Sequence, residues 1–264
     1  MSWDGDWTSV EVPHSVAFGN TNTYVDWHLV PESRPVIAMP PLKKTVVDIP
    51  GGNGSVDLSE ALTNYPVYEK RTGSLKFHVL NGYNWVDIYE EMASELHGRQ
   101  VNMRLADDPE WYYIGRYEVT WTSNNDGTWS DVEIAYDLEP LKYNVNVESI
   151  SFTANTSYKN LYPLNNERSM PITPWLNITG YTGSAPIINI DLQNPELDIS
   201  YGENAMSIGS RVMDSIPLYN IILSNMDKSV NPSTSTPSED RQIIRLSTSA
   251  NTVSGTINYR RAIL

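Results

Sequence analysis

The chain has 264 residues, 40% of them hydrophobic, no cysteine and a formal net charge of −14. That length holds one large β domain or two of about 100–150 residues, and the apolar share supports packed cores rather than general disorder. The missing cysteine rules out disulfides, thiolate metal sites and a cysteine nucleophile, while the acidic balance disfavours specific nucleic-acid binding.

No run approaches the roughly 18 apolar residues of a membrane-spanning helix. Met1-Ser2-Trp3-Asp4-Gly5-Asp6 lacks the basic-then-apolar pattern of a secretory leader. The chain therefore reads as soluble, made in the cytoplasm and not inserted into membranes. Its charge is uneven: residues 1–148 hold 23 acidic side chains against 10 basic, the remainder 9 against 8. Such asymmetry suggests two domains with different jobs, placed at 1–147 and 148–264. An acidic half is either an ordinary solvated surface or a face that must not adhere to something, such as passing nucleic acid.

In chain order, Val36–Met39 and Lys44–Ile49 are short β-branched runs separated by Pro40-Pro41, the second closed by Pro50-Gly51-Gly52-Asn53-Gly54. Ser74–Leu80 alternates apolar with polar, as a half-buried strand does. A helix is expected over about 85–97, with Asn84 as cap, Gly98 at its end, and Trp85, Ile88, Tyr89, Met92 and Leu96 on one face. A hairpin follows, its turn at Asn124-Asn125-Asp126-Gly127. Tyr113, Gly115, Tyr117, Val119 and Trp121 share a face of one strand; Val132, Ile134, Tyr136 and Leu138 share a face of the other. Asp131, Glu133 and Asp137 then point the other way, toward solvent or a lumen, and Pro140 is expected to end the strand.

After residue 148 the text turns to short strands at Ile187–Leu192, Leu197–Tyr201, Tyr219–Leu223, Ile243–Leu246 and Thr256–Tyr259, with turns at Thr179-Gly180 and Tyr201-Gly202. The stretch Ser229–Glu239 reads as an exposed loop. The fold class is therefore mainly β: a sandwich-like first domain with one helix, then a jelly-roll or similar sandwich.

Chemistry is sparse. The four histidines, His14, His28, His78 and His97, form no metal-binding spacing. Gly51–Ser55 lacks the lysine of a phosphate loop, and no nucleophile elbow is present. Asp107-Asp108-Pro109-Glu110 beside Trp111-Tyr112-Tyr113 could be cast as a glycosidase pair, but nothing marks one carboxyl for burial, and an acidic turn accounts for it. The expectation is a non-enzyme with no catalytic residues, metal or cofactor. A lectin-like, receptor-binding alternative would use Trp175, Tyr181 and Tyr201 as glycan-stacking platforms; core packing is the plainer account of them.

One run carries more identity. Asp48-Ile49-Pro50-Gly51-Gly52-Asn53-Gly54-Ser55-Val56-Asp57-Leu58-Ser59-Glu60-Ala61-Leu62-Thr63 resembles the "DIPGADG.LDLTE.LTG" segment of phage distal tail proteins, the Dit family of long-tailed phages infecting Gram-positive bacteria. Asp26–Val30 with Arg34-Pro35, then Tyr68 and Arg71, are similar to the family's flanking text. So are Trp85, Ile88-Tyr89, Leu96-His97-Gly98, Asp107-Asp108-Pro109, Tyr112-Tyr113 and Gly115-Arg116; together these pieces span about residues 24–143. The closing Gly255–Leu264 resembles the family's "YR.G.L" ending, with Ala262 where glycine is usual.

The resemblance implies a virion structural protein that forms a hexameric ring at the distal end of the tail tube. Its partners would be copies of itself, the tail tube protein and a tail-associated hub protein of the tail tip or baseplate. A galectin-like or jelly-roll module would point outward, supporting host attachment through a receptor-binding protein or cell-wall glycan. It also implies an extended loop, about residues 50–73, lying between neighbouring subunits, with Asp48, Pro50, Gly52, Gly54, Asp57 and Arg71 as candidate contact residues. Asp131, Glu133 and Asp137 would line the lumen.

Overall fold

The computed structural model describes residues 14–61, 66–80, 82–123, 130–157, 159–161, 173–182, 187–194, 199–207, 213–217, 243–248 and 252–264. It is mainly β and divides into two compact units. One runs to Lys142 and takes in Leu264; the other is Tyr143–Ile263.

The first unit contains β1 (Val16–Phe18), β2 (Thr21–Asn22), β3 (Leu29–Pro31), β4 (Val46–Asp48), β5 (Ser55–Asp57), β6 (Arg71–Val79), α1 (Trp85–Leu96), β7 (Gln100–Leu105), β8 (Trp111–Ser123) and the start of β9 (Ser130–Asn144). Seven of these strands form one sheet in the order β2-β1-β7-β8-β9-β6-β3. Strict alternation fills its core: Val132, Ile134, Tyr136 and Leu138 of β9 are buried, as are Tyr113, Tyr117 and Val119 of β8. The same core takes Val16, Phe18, Leu29, Phe77 and Met103 from the other strands, so a single sheet wraps a single apolar centre in sandwich-like fashion. Phe18 meets Tyr117 edge-on at 4.9 Å between ring centroids.

Helix α1 lays Ile88, Met92 and Leu96 into this core. Asn84 caps it by accepting from the Val86 amide, and its own amide side chain holds Asp87. At the far end Gly98 takes the left-handed conformation, φ 73°, that lets the chain turn directly into β7. A second glycine is required by space: a Cβ on Gly115 would lie 2.6 Å from the Asp137 carbonyl oxygen.

The second unit contains β10 (Glu148–Ala154), β11 (Lys159–Leu161), β12 (Trp175–Tyr181), β13 (Ile187–Asn194), β14 (Ile199–Ser207), β15 (Met213–Pro217), β16 (Ile243–Thr248), β17 (Val253–Tyr259) and β18 (Ala262–Ile263). Two four-stranded sheets result, β10-β17-β12-β15 and β11-β16-β13-β14. Successive strands repeatedly switch sheets, as in a jelly-roll-like sandwich. Phe152, Leu176, Ile178, Ile188, Leu246, Val253 and Ile257 are buried in this unit.

Several local expectations need correction. Val36–Met39 is not a strand: Pro35 and Pro40-Pro41 bracket it and remove ladder donors. Pro140 does not end β9, which continues to Asn144. Pairing with β6 stops at Leu138, so a proline beyond that point interrupts no hydrogen bond on that side. Thr179-Gly180 lies inside β12 at a register shift, and Tyr201-Gly202 lies inside β14. The expected turn at 124–127, strand at 219–223 and loop at 229–239 fall outside the described residues.

Candidate functional site

The feature that stands apart is a two-stranded arm. β4 and β5 pair with Val46 opposite Asp57, Val47 opposite Val56 and Asp48 opposite Ser55. Alternation then puts Thr45, Val47, Ile49, Val56 and Leu58 on one face, and Val46, Asp48, Ser55 and Asp57 on the other. The first face is bare: Val47 is 51% exposed, Ile49 44%, Val56 46% and Leu58 42%.

The arm is nonetheless well built. Its root is a bridge between Leu42 and Tyr68, flanked by bonds from Lys43 N to Val67 O and Glu69 N to Pro41 O, both 2.8 Å. Leu58 N donates to Thr45 O, and Thr45 N donates to Ser59 Oγ. Ser59 also donates from both its hydroxyl and its amide to Asp57, which holds that carboxyl below the usual range. At the tip, Gly51 and Gly54 both take positive φ. An isolated two-stranded ribbon is marginal in water. Covering four half-exposed aliphatic side chains would contribute roughly 1 kcal/mol each.

Asp48 and Asp57 occupy the polar face of this arm, and Pro50, Gly52 and Gly54 its exposed tip. The segment read as an extended loop over 50–73 is thus partly strand, containing β5 and the first residues of β6. Arg71 is different in kind. It is 3% exposed, donating from Nε to Pro140 O at 2.9 Å and from Nη1 to Ala38 O at 2.8 Å, with its guanidinium over the Tyr113 ring. Burial lowers its pKa, and the phenols of Tyr113 and Tyr136 oppose that shift. A side chain so placed works inside its own chain, not at a surface.

Asp131, Glu133 and Asp137 do lie on the face of β9 opposite its core residues. They do not form an unbalanced negative row. Asp131 meets His78 Nδ1 at 2.5 Å, Glu133 sits opposite Lys76, and Asp137 accepts from Lys70 Nζ at 2.5 Å. The acidic turn at 107–110 is likewise occupied. Asp107 Oδ2 accepts from His14 Nδ1 and Arg34 Nε, each at 2.7 Å, and Asp108 pairs with Lys142. Burial raises the Asp107 carboxyl, but the hydrogen bonds from His14 and Arg34 outweigh it and the net shift is downward. Among the described residues no group of three or more metal-capable side chains comes together, and no helix is long and apolar enough to cross a membrane.

No protein-family model matches the chain, and neither does any curated protein. A solved structure does: the crystal structure of SPP1 Dit (gp 19.1), described as a paradigm of the hub adsorption apparatus in phages infecting Gram-positive bacteria. It superposes with a TM-score of 0.55 over 95% of this chain and 99% of that one, at 13% identity. The chain has a Dit-like fold. At that identity the likeness is one of fold, and both units take part in it.

Within this Dit-like fold two of the three candidate stacking aromatics of the second unit, Trp175 and Tyr181, do not share one platform. Trp175 and Tyr181 are half-buried at opposite ends of β12, about 20 Å apart along a strand. Tyr201 lies in β14, and its side chain is outside the described residues. A patch that the sequence did not signal lies in the first unit. Tyr83, 48% exposed, stacks on His28 at 3.7 Å between ring centroids, and His28 holds a strained positive φ of 55°. Val25, 66% exposed, sits in the same turn as His28, and Val86, 37% exposed, lies in the first turn of α1, three residues after Tyr83. No hydrophobic periodicity marks these three positions, because they are surface.

Proposed function

We propose that this chain is a structural subunit of a phage tail, assembling through copies of itself into a ring at the distal end of the tail tube. The ring, a hexamer by the resemblance, joins the tube to the hub of the tail tip or baseplate, and the second unit serves as a galectin-like outward module that supports host attachment. The protein acts by fitting surfaces together and is not an enzyme.

The observation that carries this reading is the bare apolar face of the β4–β5 arm. An ordered ribbon presenting Val47, Ile49, Val56 and Leu58 to water is what a subunit awaiting a neighbour presents. A ring needs a heterologous contact, in which one surface of a subunit meets a different surface of the next, and a projecting arm suits that geometry. The Dit-like fold supports the same conclusion.

Solution mass measurement with negative-stain imaging tests it. The purified chain is expected to form closed rings, and Val47→Asp with Ile49→Asp is expected to leave a folded monomer. A chain that stays monomeric at high concentration, or a variant that still makes rings, overturns the reading.

A further inference from the structure

A hairpin tip can hold chemistry as well as shape. We infer that Asn53 is a site of spontaneous covalent modification: attack by the Gly54 amide converts the asparagine to aspartate and isoaspartate, and so rewrites the turn that closes the β4–β5 arm. None of this depends on the ring reading.

The reaction needs three conditions together. The asparagine side chain must not be held, the following amide nitrogen must not be donating, and the following residue must not block ring closure. Asn53 is exposed, and neither its side chain nor the Gly54 amide has a hydrogen-bond partner among the described residues. Gly54 has no side chain, and even a Cβ built on it would meet no atom within 4 Å apart from its chain neighbours. The space around this peptide link is open.

The other described asparagines fail at least one condition. Each is followed by a residue with a side chain. Several are also held: Asn22 Oδ1 accepts from the Tyr24 amide, Asn84 Oδ1 from Val86, Asn144 Oδ1 from Asn146 and Asn155 Oδ1 from Ser157. Such bonds fix the side-chain torsions that ring closure must change.

The chemistry balances with water and hydroxide alone. Hydroxide removes the Gly54 amide proton, and the nitrogen attacks Asn53 Cγ. The N–Cγ bond forms, the Cγ–Nδ2 bond breaks, and Nδ2 leaves as ammonia after taking a proton from water, which regenerates the hydroxide. A five-membered succinimide remains. Water then opens it at Cγ to give aspartate, or at the main-chain carbonyl carbon of residue 53 to give isoaspartate.

Either product adds a negative charge to an arm whose residues 43–58 otherwise balance two lysines against two aspartates. Isoaspartate does more, because its main chain runs through the former side chain and lengthens the connection between β4 and β5 by a methylene. That connection is fastened by Gly52 N to Ile49 O at 3.1 Å and Ile49 N to Gly54 O at 3.3 Å, ahead of three paired positions. Hairpin register is set by the turn, and a two-stranded ribbon is marginal in water. A lengthened turn therefore loosens the ribbon.

The test uses the purified full chain, held for days at neutral and mildly alkaline pH, both folded and in urea. The peptide between Lys44 and Lys70 is read by fragmentation mass spectrometry, which locates the change and tells isoaspartate from aspartate. Asn53 of the folded chain is expected to react within about threefold of its rate in urea, since an exposed tip needs no opening. The rate should rise with hydroxide and give both products. Asn53→Gln should lose the change, because its longer side chain closes a less favoured six-membered ring. In the isoaspartate fraction, hydrogen exchange across β4 and β5 should be faster than in the parent chain.

An Asn53 that keeps its amide in the folded chain, or that yields aspartate without isoaspartate, overturns the inference. Unchanged hydrogen exchange in the isoaspartate fraction overturns the rewriting of the turn.

Discussion

Two antiparallel ribbons of the first unit use the same residue types and meet opposite fates. In β8 and β9 the valines are covered: Val119 is 3% exposed and Val132 2%. In β4 and β5 they are bare: Val46 and Val47 are each 51% exposed and Val56 46%. Both ribbons alternate and both close on turn formers, so β-propensity and turn chemistry account for both as strands. What covers a strand is decided elsewhere. The β8–β9 face lies on α1 and the inner strands, whereas beyond its root at Leu42 and Tyr68 the arm keeps its apolar face exposed among the described residues. Identical local rules can therefore write a core or an exposed apolar face.

The contrast can be broken by truncating one side chain in each ribbon. Ile134→Ala removes a fully buried side chain from β9 and is expected to cost about 2–5 kcal/mol in denaturant unfolding, since the cavity cannot refill. A cost under about 1 kcal/mol would mean that the β9 face is not packed as described. An intermediate effect belongs to the clasp at Asp107, which ties His14, two residues ahead of β1, and Arg34, after β3, to the β7–β8 turn. Its carboxyl titrates below its ordinary value, so its contribution is present above the unfolded-state pKa of about 4 and is lost as pH falls through the folded value. Asp107→Asn should lower stability at neutral pH by about 1 kcal/mol or less, given the exposed Arg34 partner, and should flatten the acid limb of a stability-versus-pH curve. An acid limb as steep as that of the parent chain would remove the clasp from the account. The smallest effect is expected at Val47→Ser, which should leave monomer unfolding within about 0.5 kcal/mol of the parent while impairing assembly. A large loss of monomer stability would show that the arm is covered by its own chain after all.

Legibility in the sequence followed the same divide. Periodicity made the covered ribbon readable: Val132, Ile134, Tyr136 and Leu138 repeat at two, and the core lies where they point. Asn84 and Gly98 marked the ends of α1 because caps are local chemistry. Pro140 misled because the effect of a proline depends on whether a partner strand still runs alongside, which is not local information. Arg71, read as a contact residue, is internal because carbonyls from Ala38 and Pro140, distant in the chain, converge on it. The acidic positions of β9 faced outward, yet their partners on β6 and at Lys70 were legible only through strand register. The patch at Val25, Tyr83 and Val86 left no trace, since surface positions obey no period.

If the chain assembles as proposed, the grip of Arg71 on Ala38 bears on how its copies meet. By tethering the chain just ahead of Leu42, it fixes the direction in which the ribbon leaves the body before any neighbour arrives. Much of the ordering entropy is then spent during folding instead of at the encounter, which favours a fast, rigid-body approach over coupled folding and binding. In the proposed ring, assembly speed would thus depend on a guanidinium buried inside its own subunit.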